Sequence, residues 1–392
     1  MKENPLAASI ARIIAAAPAV GWLAGGEAAG QPVRCITFRD YMQQCLYHPA
    51  YGYYRKGGVR IGKEGDFYTS SGIGRVLAEV LARYLIRFGR GAEAGPLPLI
   101  EWGAGTGRLS AQIAAAGSLL DKDWGSRYRS VIVEDHPAHT HAAKESFRVL
   151  RSDGYQRIDE PVVASSEEAW GADWLREPAV ILANELLDAF PVHRVQILQD
   201  ELVELGVTGD AAEGFREACM PVSDPRIGGW LARDGIRLRE GQRTEVHADA
   251  ASFLNRLGGA MTEGRLILID YGHEADEYAA EHRMLGTLMC YWRHQASDSP
   301  YERIGEQDMT SHVPFTFVRK EAERSGWRLA GYSSQKQFLT DNGVLDLLAE
   351  HSGADPFGEA ARMNRAVRQL LLSDRMSESF KVMVLDKANG TR

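Results

Sequence analysis

Short apolar runs that alternate with helical stretches constrain this chain more than any other feature. Pro98–Trp102 (PLIEW), Arg129–Glu134 (RSVIVE), Val162–Ala164, Ala179–Asn184 (AVILAN) and Arg265–Tyr271 (RLILIDY) are continuous rather than alternating in polarity. Strands of that kind are buried on both faces, and crossover helices between them make the sheet parallel. The expected fold class is therefore α/β, a Rossmann-like doubly wound and mostly parallel sheet. Leu329–Ser334 and Phe380–Asp386 are candidates for closing strands, with a helical stretch over Asp346–Leu372 between them.

Residues 1–90 read as an N-terminal helical and loop segment that covers the site, and 91–392 as the main domain. In the first segment Leu6, Ile10, Ile13 and Ile14 share one helical face, Gly25–Pro32 is a loop, and Tyr41–Tyr54 is dense in aromatic residues. A turn-rich stretch, Gly57–Gly74, leads to a helix over Val76–Phe88. The span between the fourth and fifth strands is too long for a simple crossover, so an insertion is placed at about 192–262. Within it Val192–Leu198 and Leu202–Val207 form a hairpin, and Asp210–Arg239, polar and glycine-rich, reads as loop or lid.

The glycine cluster Glu101-Trp-Gly103-Ala104-Gly105-Thr-Gly107 sits where the first strand ends and a helix begins. Glycines there permit positive φ and close approach of a ligand to the backbone, and the helix N-terminus offers free amides. The dinucleotide fingerprint GxGxxG needs a third glycine at position 108, where Arg108 stands. Glycines at 103, 105 and 107 instead fit a nucleoside-linked methionine cofactor. Glu101 is placed to hold an ammonium and would repel a pyrophosphate, and Glu134 at the second strand tip can accept from ribose hydroxyls.

The fourth strand ends in Asn184-Glu185-Leu-Leu-Asp188-Ala-Phe-Pro191, which puts three polar groups at the carboxyl end of the sheet, where ligands of open α/β folds bind. Asn184 can shape the loop or accept from the ammonium, while Glu185 and Asp188 can bind a cationic acceptor or take its proton. The competing reading is an acidic first turn of a helix. The fifth strand ends in Asp270-Tyr271-Gly272-His273. Asp308 and His312, four apart, would share a helical face and form an acid–base pair. Their spacing is too unspecific to imply a metal, and none is expected.

Net charge of −8 argues against a nonspecific grip on nucleic acid and suits a neutral or cationic substrate. Cys35, Cys45, Cys219 and Cys290 show no CxxC spacing, as expected of core residues in a reducing compartment. Arg12 interrupts the first apolar stretch and no run of about 18 apolar residues occurs. A cytoplasmic location without a membrane span is the expectation; the oligomeric state is open.

Together these segments resemble the MidA-like class I S-adenosylmethionine-dependent methyltransferases. The matching pieces are Phe38–Met42, Leu46–Tyr54, Gly65-Asp66-Phe-Tyr-Thr69, the glycine cluster, Asn184–Pro191, Ile269–Gly272, Gly286–Leu288 and Asp308–Val313. Mitochondrial members of that family are protein-arginine methyltransferases that serve assembly of respiratory complex I. The resemblance implies S-adenosylmethionine held by Glu101, Gly103, Gly105, Gly107 and Glu134, to which the reading of the residues adds Ala104 and Asn184. It also implies a substrate cleft lined by Gly65–Thr69, with Asp66 and Thr69, and by Asn184–Asp188, and a methyl acceptor that in the mitochondrial members is a protein. The residues themselves add Tyr271 and His312 to the cleft and make Glu185 and Asp188 the candidate catalytic groups. The chain departs from the pattern at Ser70–Gly74, where a Phe-Gly is absent, and at His136. Two other readings are a cofactor-binding assembly factor that catalyses little and a nicotinamide-dependent dehydrogenase.

Overall fold

The computed structural model describes residues 4–25, 29–57, 71–88, 95–152, 154–155, 158–349, 358–372 and 379–388. They fall into two compact units, each built from separate stretches of chain. One comprises Gly58–Leu186, Asn255–Tyr271 and Ala322–Arg392; the other comprises Met1–Gly57, Leu187–Leu254 and Gly272–Glu321. Residues 1–57 of the N-terminal segment thus share a unit with most of the region between the fourth and fifth strands and with a later stretch, 272–321, whereas the helix Ser71–Phe88 belongs to the other unit.

The first unit holds the expected sheet. Its strands are β1 (Leu97–Trp102), β2 (Tyr128–Val133), β3 (Val162–Ala164), β4 (Ala179–Asn184), β5 (Gly264–His273, in this unit through Tyr271), β6 (Arg328–Ser334) and β7 (Phe380–Lys387). Their order is β6-β7-β5-β4-β1-β2-β3. All neighbours from β5 to β3 pair in parallel, and β7 alone runs against the rest. The register aligns Leu99 with Val180, Ile100 with Val131 and Ile269 with Asn184. Alternate residues Val180 and Leu182, Ile267 and Ile269, and Val382 and Val384 enter one core cluster with the helix Ser71–Phe88. Ile132 joins a second cluster with Ala111 and Ala114 of the helix Arg108–Leu120 and with Ala143 and Phe147 of Pro137–Ser152. Arg265 pins β5 to β7 through a two-pronged bond to Asp386 at 2.6 and 2.7 Å while its guanidinium lies over Phe88.

The second unit is built on antiparallel strands in the order Arg243–Val246, His193–Leu198, Glu201–Asp210, Gly214–Met220, Val20–Leu23, Pro32–Arg34. The hairpin expected after Val192 is present. Its turn residues Gln199 and Asp200 have φ of 55° and 62°, and the Glu240 carboxylate accepts from both of their amides. Phe38, Tyr41, Met42 and Leu46 of the helix Phe38–Tyr47 pack with Leu6, Ile10 and Ile14 of the helix Pro5–Ala16.

Three expectations need correction. Asp210–Arg239 is not a loop: Gly214–Met220 is a strand in full register with Glu204–Asp210, and Arg226–Asp234 is a helix that buries Ile227, Trp230 and Leu231. The i, i+3, i+4 spacing of those three residues supplies the helix despite Gly228 and Gly229. Asp308 and His312 share no helical face, because Asp308–Thr310 is a strand paired with Met289–Trp292. In the C-terminal stretch the helix is Glu359–Leu372, preceded by a short 3₁₀ turn at Val344–Leu347. Among the described residues no helix is long and apolar enough to cross a membrane.

Candidate functional site

β1 ends at Trp102 and the chain enters three left-handed glycines, with φ of 72° at Gly103, 55° at Gly105 and 63° at Gly107. This alternation is what the GxGxG spacing encodes, because a side chain at any of the three positions would be strained. Space matters as well. A Cβ on Gly103 would stand 2.7 Å from Leu186 Cδ1, and one on Gly107 would stand 2.7 Å from Ala143 Cβ on the neighbouring helix. The loop is tied to β2, since the Val133 carbonyl accepts from Gly103 and Ala104 at 2.9 and 3.3 Å. The helix Arg108–Leu120 then starts, so its first amides face the loop.

Glu134 follows β2 directly. Its Oε2 accepts from the Gly105 amide at 2.7 Å and its Oε1 from the His136 amide at 2.8 Å. One carboxylate thereby fixes both the glycine loop and the turn beyond the second strand. His136, at a position where the sequence departs from the family pattern, is buried and stacks on His139 with ring centroids 4.5 Å apart.

Glu101 is buried, and its Oε2 accepts from both the amide and the hydroxyl of Ser110, at 3.1 and 2.5 Å. Burial pushes its carboxyl up to about 7, against the opposing pull of the Ser110 bonds. The sequence offered no pointer to Ser110 as its partner. Glu101 therefore clamps the strand end to the helix start, whatever its remaining oxygen contacts in a complex.

Asn184 closes β4, and Glu185 adopts φ of 49°, a left-handed conformation rare for a residue with a side chain. Its amide donates to the Ile269 carbonyl at 2.8 Å, which holds the turn against β5. The Tyr271 ring meets Phe380 edge to face at 5.5 Å. Glycines that cannot accept a Cβ, amides at a helix start and a strand-end carboxylate fit a ribose-bearing amino-acid nucleoside; Gly103, Ala104, Gly105, Gly107, Glu134 and Asn184 are the residues that would hold it.

Asp188 belongs to the second unit, with Glu185 in the first. It is buried, and its carbonyl accepts from the Ser311 amide at 3.0 Å. Tyr47 and Tyr54 pack at 5.5 Å; the Tyr54 hydroxyl donates to Asp308 Oδ1 at 2.6 Å and the Tyr47 hydroxyl to the Ala189 carbonyl at 3.0 Å. Burial, reinforced by Asp308 and Asp188, raises both phenols well above their ordinary range, so they remain protonated donors. These two tyrosines lie in the aromatic stretch of the sequence, but nothing in their spacing links them to Asp308.

Asp308 and His312 do not form an acid–base pair. Asp308 Oδ1 is taken by Tyr54 and by the Met309 amide, whereas the His312 ring packs against His273 at 4.9 Å. Burial and the nearby His273 and Arg283 lower His312 to about 4. Asp66 and Thr69 lie outside the described residues. Among the described residues no group of three His, Cys, Asp or Glu side chains is arranged to hold a metal ion.

A family model for S-adenosyl-L-methionine-dependent methyltransferases matches residues 76–333. The protein named "Protein arginine methyltransferase NDUFAF7, mitochondrial" from Danio rerio is 25% identical over 360 residues, covering 88% of this chain and 82% of its own length. Its Homo sapiens counterpart is 27% identical over 369 residues, covering 89% and 80%. A Burkholderia thailandensis protein crystallised with S-adenosyl-homocysteine superposes with a TM-score of 0.80 at 30% identity, covering 98% of this chain and 92% of that one.

Proposed function

This chain belongs to the family of S-adenosyl-L-methionine-dependent methyltransferases, and we propose that the group it methylates is the guanidinium of an arginine in a protein. The observation that carries the acceptor is the acidic, tyrosine-walled cluster of Asp188, Asp308, Tyr47 and Tyr54. Carboxylates bind guanidinium groups through charge-assisted, often bidentate bonds, and aromatic rings favour a cation over their faces. The names of the NDUFAF7 relatives support the same acceptor.

Bound S-adenosylmethionine supplies an electrophilic methyl group on a sulfonium, with no demand on the protein for covalent catalysis. The chain's own work is to bind and orient. Gly103, Gly105 and Gly107 keep side chains out of the cofactor's path, and Glu134 holds the loop amide of Gly105 in place. Glu185, held in a left-handed turn, is the carboxylate assigned to take the proton released when a guanidinium nitrogen is methylated, and Asp188 is assigned to bind the guanidinium.

Asp188→Asn tests this acceptor. Methyl transfer from labelled S-adenosylmethionine to protein should fall about 100-fold, while affinity for S-adenosyl-homocysteine stays within about twofold. Unchanged transfer would remove Asp188 from the reaction.

A further inference from the structure

The second unit contains a half-open cavity of about 680 Å³ that touches none of the glycine-loop residues; Arg194, Glu217, Arg243, Gly286, Thr287 and Tyr301 are among those that line it. Arg194 is its unusual member. Its side chain is 8% exposed, yet the two nearest carboxylate oxygens, on Glu245 and Glu217, stand at 3.6 and 3.8 Å, too far for a hydrogen bond. Its Nε has no hydrogen-bond partner among the described residues. Glu217 is committed elsewhere, whereas Glu245 Oε1, the atom 3.6 Å from Arg194 Nε, likewise has no hydrogen-bond partner among the described residues. Glu217 accepts from Arg243 Nη1 and Nη2 at 2.9 and 2.8 Å, and Glu245 Oε2 accepts from the Thr287 amide and hydroxyl at 2.7 and 2.8 Å.

The position of Arg194 selects a kind of ligand. A guanidinium only donates, and burying one without acceptors is costly. With two carboxylates inside 4 Å, however, Arg194 has unmet donor capacity but little net positive charge to offer. A neutral carbonyl oxygen suits it better than another anion. The Tyr301 hydroxyl, buried and without a partner among the described residues, adds a further polar group to the lining. Of the other cations that line the cavity, Arg243 is paired with Glu217 and Arg283 with Glu277 at 2.9 Å. At the rim the exposed Asp298 and Glu302 add negative charge, Glu302 being offset by a surface pair with Arg303 at 3.2 Å.

From the hydrogen-bonding deficit on the floor and the acidic rim, we infer that this cavity binds a basic, extended polypeptide segment, with a main-chain carbonyl on Arg194 and cationic side chains facing Asp298 and Glu302. The segment belongs to the acceptor protein, so this assignment rests on the reading that the acceptor is a protein. It makes the cavity a determinant of which protein is methylated.

The test uses the full chain and fluorescent peptides that contain no arginine, so its outcome does not depend on arginine being the methylated residue. The probes are a glycine peptide with two lysines, the same peptide with two glutamines, and one with two glutamates. The lysine peptide should bind at least about tenfold more tightly than the other two, and reversing the rim charges in Asp298→Lys/Glu302→Lys should abolish that preference. Arg194→Lys, with folding checked by circular dichroism, should weaken all peptides alike, since it acts on the main chain. Equal binding of the glutamate peptide, or a lysine preference that survives rim reversal, overturns the assignment. The two rim residues are exposed, so that variant tests the assignment even if Arg194→Lys does not fold.

Discussion

The carboxylate of Glu134 receives the amide of Gly105 at 2.7 Å, so the strand-end acid and the central glycine of the loop are parts of one device. Glu134→Gln keeps the shape but loses the charge that strengthens this bond and the one from His136. Affinity for S-adenosyl-homocysteine, read by calorimetry, should fall about tenfold, equivalent to about 1.4 kcal/mol. Full affinity would mean that Glu134 serves the apo loop alone.

The two outer glycines should respond unequally to alanine. At Gly103 the new methyl meets the end of the flexible Leu186 side chain, whereas at Gly107 it meets both Cβ and Cα of Ala143 on a packed helix. Both pay for positive φ, about 1 kcal/mol or more. Thermal unfolding should therefore show a larger drop in Tm for Gly107→Ala than for Gly103→Ala, with cofactor binding impaired in both. Equal Tm values would show that the helix carrying Ala143 yields as easily as the Leu186 side chain.

Glu101 gives the protein a pH signature. Its carboxyl, pushed by burial from 4.5 to about 7, keeps its proton in the folded state over a range where the unfolded chain has lost it. Stability therefore falls as pH rises from about 4.5 towards 7 and levels off above. Buried His247 and His312, lowered to about 3 and about 4, act in the opposite sense: their contribution is lost as pH falls below 6.5. Subtracting the urea midpoints of Glu101→Gln from those of the native chain cancels the histidines. The difference should decline between pH 4.5 and 7; a flat difference would place Glu101 at an ordinary value.

Glu185→Gln should lower turnover by about 100-fold with cofactor affinity nearly unchanged, because the residue is assigned to proton removal and its backbone turn is kept. Single-turnover kinetics give the check, and a native rate would take Glu185 out of the reaction.

The parallel sheet and its glycine loop were legible because each rests on local pattern. Val180–Ala183 is apolar without a break, and alternate glycines map one to one onto left-handed backbone. Gly214–Met220 was not legible, since Arg216 and Glu217 on an antiparallel strand look like loop polarity until register with Glu204–Asp210 is known. The four-residue spacing of Asp308 and His312 suggested a helix that strand pairing overrode. Arg194 gave no signal at all. Its character comes from acids on two other strands, Glu217 and Glu245, which only tertiary pairing brings near.

The most direct measurement supplies methyl-labelled S-adenosylmethionine and the full chain to a protein extract, hydrolyses the labelled product to amino acids and identifies the one that carries the label. Protein-borne label recovered as methylarginine is the predicted result. Label in a small molecule, or on any other amino acid, would contradict it.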